Sequence, residues 1–188
     1  MKSITIFCGS NFGRGDAYRN AAQALGRELA RRGLTMVYGG TNKGTMGVLA
    51  DTVLAAGGTV HGVITRRLAD KGHSHPDVKM VEVLESMRER KSRMAVIGDA
   101  YIALPGGVGT LEEFFEVWVA AQLEGIPKPL GLLNVNGYFD PLMMMITRMI
   151  EEEFLPAAHR DMIVVASDPA SLLDGFARYE PVTVQKWL

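Results

Sequence analysis

Short β-branched or apolar runs alternate with longer amphipathic segments along the chain, and this alternation constrains the fold more than any other feature. Ile4–Cys8 (ITIFC) reads as a strand, followed by the loop GSNFGRGD. Tyr18, Ala22, Leu25 and Leu29 then recur at helical spacing, and Gly33 sits where a helix C-cap glycine belongs. Thr35–Gly40 is the second strand, a helix closed by Gly57 and Gly58 follows, and Thr59–Ile64 is the third strand. The polar stretch Thr65–Asp77 reads as a long loop. KMVEV is a strand, SMRERKSRMAVIG a helix with a serine cap at Ser86, and Ala100–Leu104 a further strand. Leu111, Phe114, Phe115, Trp118 and Gln122 fall on one mostly apolar helical side. PLGLLNV (strand), YFDPLMMMITRMIEEEF (helix), MIVVA (strand) and DPASLLDGFARY (helix) complete the alternation.

Strands separated by full helices pair in parallel through right-handed crossovers. The expected fold is therefore a doubly wound, mostly parallel, Rossmann-like α/β sheet, in one domain spanning residues 1–188. In such sheets ligands bind beyond the carboxyl ends of the strands. The glycine-rich loops after Cys8, Tyr38 and Leu104 all fall at that end and should converge.

Each glycine loop has an ordinary and a chemical reading. In GGTNKGTMG (Gly39–Gly47) the order is Lys43-Gly44-Thr45 rather than the Gly-Lys-Ser/Thr of a nucleoside-triphosphate P-loop, so that activity is rejected. What is left is a tight turn needing positive φ, or a helix N-terminus facing an anion. GVGTLE (Gly107–Glu112) lacks the third glycine of the dinucleotide fingerprint. Gly106, Gly107 and Gly109 still allow backbone amides to approach a phosphate, with Thr110 capping the helix or donating to that phosphate. Glu112 and Glu113 at this helix start either complement its dipole or do chemistry.

Ser86–Met94 places Arg90 and Lys91 in a helix with Arg88 and Arg93. This is either a solvated face, with Glu89 and Arg93 as an i,i+4 pair, or a face from which Arg90 turns toward the glycine loops. His73 and His75 lie close together without a matching Cys or Glu motif and read as loop residues, so no metal site is expected. Cys8 reads as a small buried apolar residue at the end of a central strand. Met143–Met145 and Met149 read as core or interface packing, a pointer to a subunit contact.

Twenty basic against twenty-one acidic residues leave a formal charge of −1, which speaks against nucleic-acid or membrane-surface partners. A single cysteine, no long apolar N-terminal run and no spanning segment point to a cytoplasmic protein.

PGGVGTLEE (Pro105–Glu113) resembles the P-G-G-x-G-T-x-x-E signature of the LOG family, the cytokinin-activating phosphoribohydrolases. SMRERK resembles the family's M-x-x-R-K segment, and CGSN, VYGG and LLNVNGYFDPL resemble further family segments, in order from about Ile4 to about Ala166. Such proteins have often carried the label "lysine decarboxylase". No recognisable setting for a pyridoxal-phosphate lysine supports that label here, and 188 residues is small for such an enzyme.

The resemblance implies hydrolysis of the N-glycosidic bond of AMP or an N6-modified AMP, with no metal or redox cofactor, by a homodimer. It implies Arg90 and Glu113 as catalytic residues. It implies nucleotide contacts from Ser10, Gly39, Gly40 and Lys91, and from Gly106, Gly107, Gly109, Thr110 and Glu112 of the signature. A non-catalytic nucleotide carrier of the same fold is the alternative. Two departures bear on the base. Thr41 and Thr45 replace a glycine and a leucine common in the second loop, and the Arg66–Asp77 loop lacks the family's usual proline.

Overall fold

The computed structural model describes residues 1–125 and 128–182. In chain order the elements are β1 (Ser3–Phe7), α1 (Ala17–Arg31), β2 (Thr35–Tyr38), α2 (Gly44–Ala55), β3 (Val60–Thr65), α3 (Arg66–Asp70) and β4 (Met80–Leu84), then α4 (Met87–Ile97), β5 (Ala100–Ala103), α5 (Val108–Glu124), β6 (Leu130–Leu133), α6 (Asp140–Glu151), β7 (Ile163–Ala166) and α7 (Pro169–Ala177). The strands form one sheet in the order β4-β3-β2-β1-β5-β6-β7, and every pairing is parallel. The chain winds outward from β1 to β4, returns to β5 beside β1, and winds outward again. The expected Rossmann-like alternation is present, and its switch point lies between β1 and β5.

Period-two alternation in the strands explains the two cores. Ile4, Ile6 and Cys8 of the β1 segment face Leu25 and Leu29 of α1, Leu49 and Val53 of α2, and Leu172 of α7. Phe7, Val37, Val63 and Ala103 face the other way, against Met94 of α4, Phe114 and Trp118 of α5, and Ile146 of α6. Because the central strands are covered on both sides, their sequences read as continuous apolar runs. Phe114 is fully buried, and truncating it to alanine would cost about 3–5 kcal/mol.

Two local expectations change. The segment after β3 is not all loop, since Arg66–Asp70 forms the short helix α3. Ser86 caps α4 as expected, but in a full capping box with Glu89, so Glu89 is not the partner of Arg93. Arg93 instead reaches back to β4 and grips Glu82 with two hydrogen bonds of 2.7 and 2.9 Å. Gly33 does end α1, with φ +66 just after the cap residue Arg32. On α6, Ile146 is buried while Met144 and Met145 are 71 % and 52 % exposed, which leaves half of the methionine cluster outside the core.

Candidate active site

The site begins with how α4 enters the fold. Its capping box fixes the first turn, which swings Arg90 off the solvent face and beneath the carboxyl ends of β2 and β3. Arg90 is 8 % exposed. Its Nε donates to the carbonyl of Val63 (3.0 Å) and one terminal nitrogen donates to Glu113 Oε1 (3.1 Å). The other terminal nitrogen lies 2.3 Å from where a Cβ on Gly39 would stand. Gly39 is therefore glycine because the guanidinium occupies its side-chain space. Of the alternatives for this charged helix, the inward one holds for Arg90, while Arg88 and Arg93 stay outside.

Glu113 sits in the second turn of α5, with its side chain 15 % exposed. Burial pushes its carboxyl above the usual carboxylate range, and the charge and hydrogen bond of Arg90 recover only part of that shift. Ionising Glu113 thus costs the fold something even with its partner in place. A buried pair is weak evidence for stability, and carboxyls raised by burial in a cleft cluster at functional sites. Cys8 lies near enough to feel this charge, and burial above all drives its thiol up to about 12, consistent with the packing role expected of it.

The loop between β5 and α5 brings Gly106 against the β1 loop: a Cβ on Gly106 would meet Thr110 Oγ1 at 2.1 Å and Gly9 N at 3.0 Å. Gly107 is the N-cap of α5, and no side chain caps this end. Of the two roles expected of Thr110, capping is ruled out because the residue already lies inside the helix. Its N–H and that of Leu111 both go to the Gly107 carbonyl, at 3.1 and 3.3 Å. The earlier amides of an α-helix have no intrahelical acceptor.

Gly107 and Gly109 differ from the other site glycines. Neither has positive φ, and an added Cβ at either would meet nothing within 4 Å. The fold itself gives no reason for glycine there. In the second loop the fold supplies the reasons: Gly40 has φ +72, Gly44 packs against the backbone of Ser10, and Gly47 packs against Asn42. The α2 N-terminus is also partly used, since Thr45 donates through both N–H and Oγ1 to the Gly9 carbonyl (3.1 and 3.0 Å).

Ser10, Gly106 and Gly107 line a cleft of about 280 Å³ at the β1/β5 switch point. Three aromatic residues that the sequence did not assign to a site complete it: Phe12, Tyr18 (expected only as part of the α1 repeat) and Tyr138. The signal for Tyr138 was present, an aromatic directly after the Asn-Gly turn in LLNVNGYFDPL. Lys91 and Glu112 are brought together with each other. Lys91 bridges Glu112 and Glu116 (2.8 Å to the latter), tying α4 to α5 beside a second, more apolar cavity of about 450 Å³ that Glu113 also lines.

His75, rather than the His73–His75 pair, joins a cluster able to face a metal, with Asp51 and Asp77. Its hydrogen bonds indicate another use. The backbone N–H of Asp77 donates to His75 Nδ1 (3.3 Å), which leaves Nε2 protonated and donating to Asp51 (3.1 Å). A metal-bound imidazole has the reverse arrangement, with its second nitrogen donating. The cluster instead fastens the 71–77 segment over the second glycine loop, helped by the His75 N–H bond to the Gly40 carbonyl (2.9 Å). Among the described residues no helix is long and apolar enough to cross a membrane.

A family model described as "Possible lysine decarboxylase" matches residues 46–176. A probable cytokinin riboside 5'-monophosphate phosphoribohydrolase of Oryza sativa subsp. japonica is 44% identical over 182 residues, 97% of this chain and 80% of the relative. The cytokinin riboside 5'-monophosphate phosphoribohydrolase of Rhodococcoides fascians is 45% identical over 168 residues, 89% of this chain and 85% of its own. An Arabidopsis thaliana enzyme of the same name is 41% identical, covering 97% of this chain and 80% of its own. Among solved structures, the molybdenum cofactor carrier protein of Chlamydomonas reinhardtii superposes with a TM-score of 0.70 at 19% identity, covering 94% of this chain and 96% of its own. The molybdenum cofactor binding protein of Rippkaea orientalis gives 0.67 at 22% identity, covering 93% and 94%. At those identities the structural likeness carries the fold alone.

Proposed function

The chain belongs to the LOG family, the cytokinin riboside 5'-monophosphate phosphoribohydrolases, and from that premise we propose that it hydrolyses the N-glycosidic bond of a nucleoside 5'-monophosphate, releasing free base and ribose 5-phosphate. One observation carries the assignment to residues. The buried Arg90–Glu113 pair joins α4 to α5 at the carboxyl edge of the sheet, and Glu113 stands on the helix whose uncapped N-terminus holds two glycines the fold does not require.

In this reading the amides at the start of α5, opened by Gly106, Gly107 and Gly109 and flanked by Ser10 and Thr110, receive the 5'-phosphate. Gly39 and Gly40 let the ligand and Arg90 approach the end of β2. Breaking the C1'–N bond builds positive charge on the ribose, as in other glycosidic cleavages. The Glu113 carboxylate stabilises that charge and takes a proton from the attacking water, whose oxygen bonds to C1' as the C1'–N bond breaks. The base leaves with the bonding electron pair and takes up one proton from solvent, and Glu113 returns its proton to solvent. Arg90 holds Glu113 ionised and oriented, and its remaining donors position the sugar. Lys91 and Glu112 brace α4 against α5 and border the nucleotide. Phosphate binding energy fixes the reacting centre, so nucleosides lacking the phosphate react poorly.

The preferred substrate is AMP or an N6-modified, cytokinin-type AMP, and the protein acts in the cytoplasm as one domain per chain in a homodimer. The exposed Met144 and Met145 of α6 support the dimer. Incubating the protein with AMP and with N6-isopentenyl AMP, and separating the products by chromatography, tests the reading. Release of neither base would defeat it, and a 20.5 kDa species in sedimentation would remove the dimer.

A further inference from the structure

The segment joining β6 to α6 is built as a rigid bracket. Asn134 accepts from the Phe139 N–H and donates to Asp140 Oδ1, both at 2.7 Å. Asn136 and Gly137 adopt positive φ (52 and 69), and a Cβ on Gly137 would lie 2.4 Å from Asp140 Oδ2. The bracket presents Tyr138, whose ring meets Phe139 edge-on at 5.1 Å and Tyr18 edge-on at 5.8 Å. The hydroxyl then donates to the Gly106 carbonyl at 2.5 Å.

The consequence follows from peptide geometry. In a trans peptide the C=O and the next N–H point in opposite directions, so holding the Gly106 oxygen on the Tyr138 side turns the Gly107 N–H the other way. Both residues flanking this peptide are glycines, which admit positive and negative φ almost equally. A flip would replace a donor with an acceptor oxygen at the start of α5. Resting on the phosphate site proposed above, we propose that the Tyr138 hydroxyl is a positioning group that locks the Gly106–Gly107 peptide, so that the α5 N-terminus presents donors to the phosphate of the substrate.

Tyr138→Phe removes the hydroxyl and keeps the ring contacts. The expected result is a KM for AMP raised about 10-fold, the size of one lost hydrogen-bonded contact, with kcat within about 3-fold. The inhibition constant for inorganic phosphate should rise by the same factor, with the melting temperature little changed. Loss of the bond alone would only shift the Gly107 amide resonance; release of the lock should also broaden or double it in the ligand-free variant, as the peptide exchanges between two orientations. If the wild-type protein binds phosphate and Tyr138→Phe binds it equally well with a single sharp Gly107 amide resonance, the lock is refuted and the phosphate site stands. If the wild-type protein binds neither AMP nor phosphate, the site reading falls and the lock with it.

Discussion

Gly109→Ala separates a glycine kept for folding from one kept for a ligand. Gly109 occupies the first turn of α5, with ordinary φ and open space around an added Cβ. By helix propensity alone the substitution is favourable by about 0.5–1 kcal/mol. In a protein of this size that raises the melting temperature by about 1–4 °C. If the space belongs to a phosphate, the new methyl group pushes the anion off one amide donor, worth about 1.5–3 kcal/mol to a charged partner. That corresponds to roughly a 10- to 100-fold rise in KM for AMP. The assay pairs thermal melting without ligand with steady-state base release over a range of AMP. A more stable variant that binds its substrate worse is the expected outcome. A variant with raised melting temperature and unchanged KM would show that the open space has nothing to do with the nucleotide, and a less stable one would show that the glycine serves the fold.

Glu113→Gln keeps shape while removing the charge, so nucleotide binding should persist while kcat falls about 10²–10⁴-fold, measured by calorimetry and base release. Retained turnover would acquit Glu113. Because burial raises the Glu113 pKa and the reaction needs its ionised form, activity should fall with decreasing pH at a midpoint above the ordinary carboxylate value of about 4.3. Arg90→Gln removes the charge that holds that pKa down, so the Glu113 carboxyl, followed by carbon NMR, should titrate at still higher pH. Stability carries the same sign: a raised carboxylate favours the fold when protonated, so its contribution declines as pH rises through the shifted pKa. Gly39→Ala would place a methyl 2.3 Å from an Arg90 nitrogen, and should displace the guanidinium and lower kcat/KM at least 10-fold in the same assay. Cys8, buried with its thiol raised to about 12, should resist thiol reagents at pH 8 in the folded protein and react once it is unfolded in denaturant.

The architecture was legible because it depends on periodicity. Buried parallel strands read as apolar runs, helices as repeats near 3.6, and both survive without knowing their neighbours. The turns were readable for a similar reason, since a capping serine at Ser86 and a C-cap glycine at Gly33 act within a few residues. Local chemistry misled where partners were distant. Arg93 had a plausible i,i+4 partner in Glu89, but the fold placed Glu82 within reach and Ser86 took Glu89 instead. The short helix α3 was hidden in a stretch with too few apolar residues to show a period.

The Pro105–Glu113 loop and the Arg90–Lys91 pair stand out in the chain as written, and so does their order, which is enough to name the residues at issue. Their roles depend on which side of a helix meets which strand end. Only the packed sheet sends Arg90 inward to Val63 and Glu113 while Lys91, its neighbour in sequence, turns to Glu112 and Glu116. Only there do the glycines divide into those that make room for protein atoms and Gly107 and Gly109, which make room for none. Periodicity is a property of a segment and is written along it. Burial, desolvation and the approach of one backbone to another belong to pairs of segments, and they exist once β1 and β5 lie side by side.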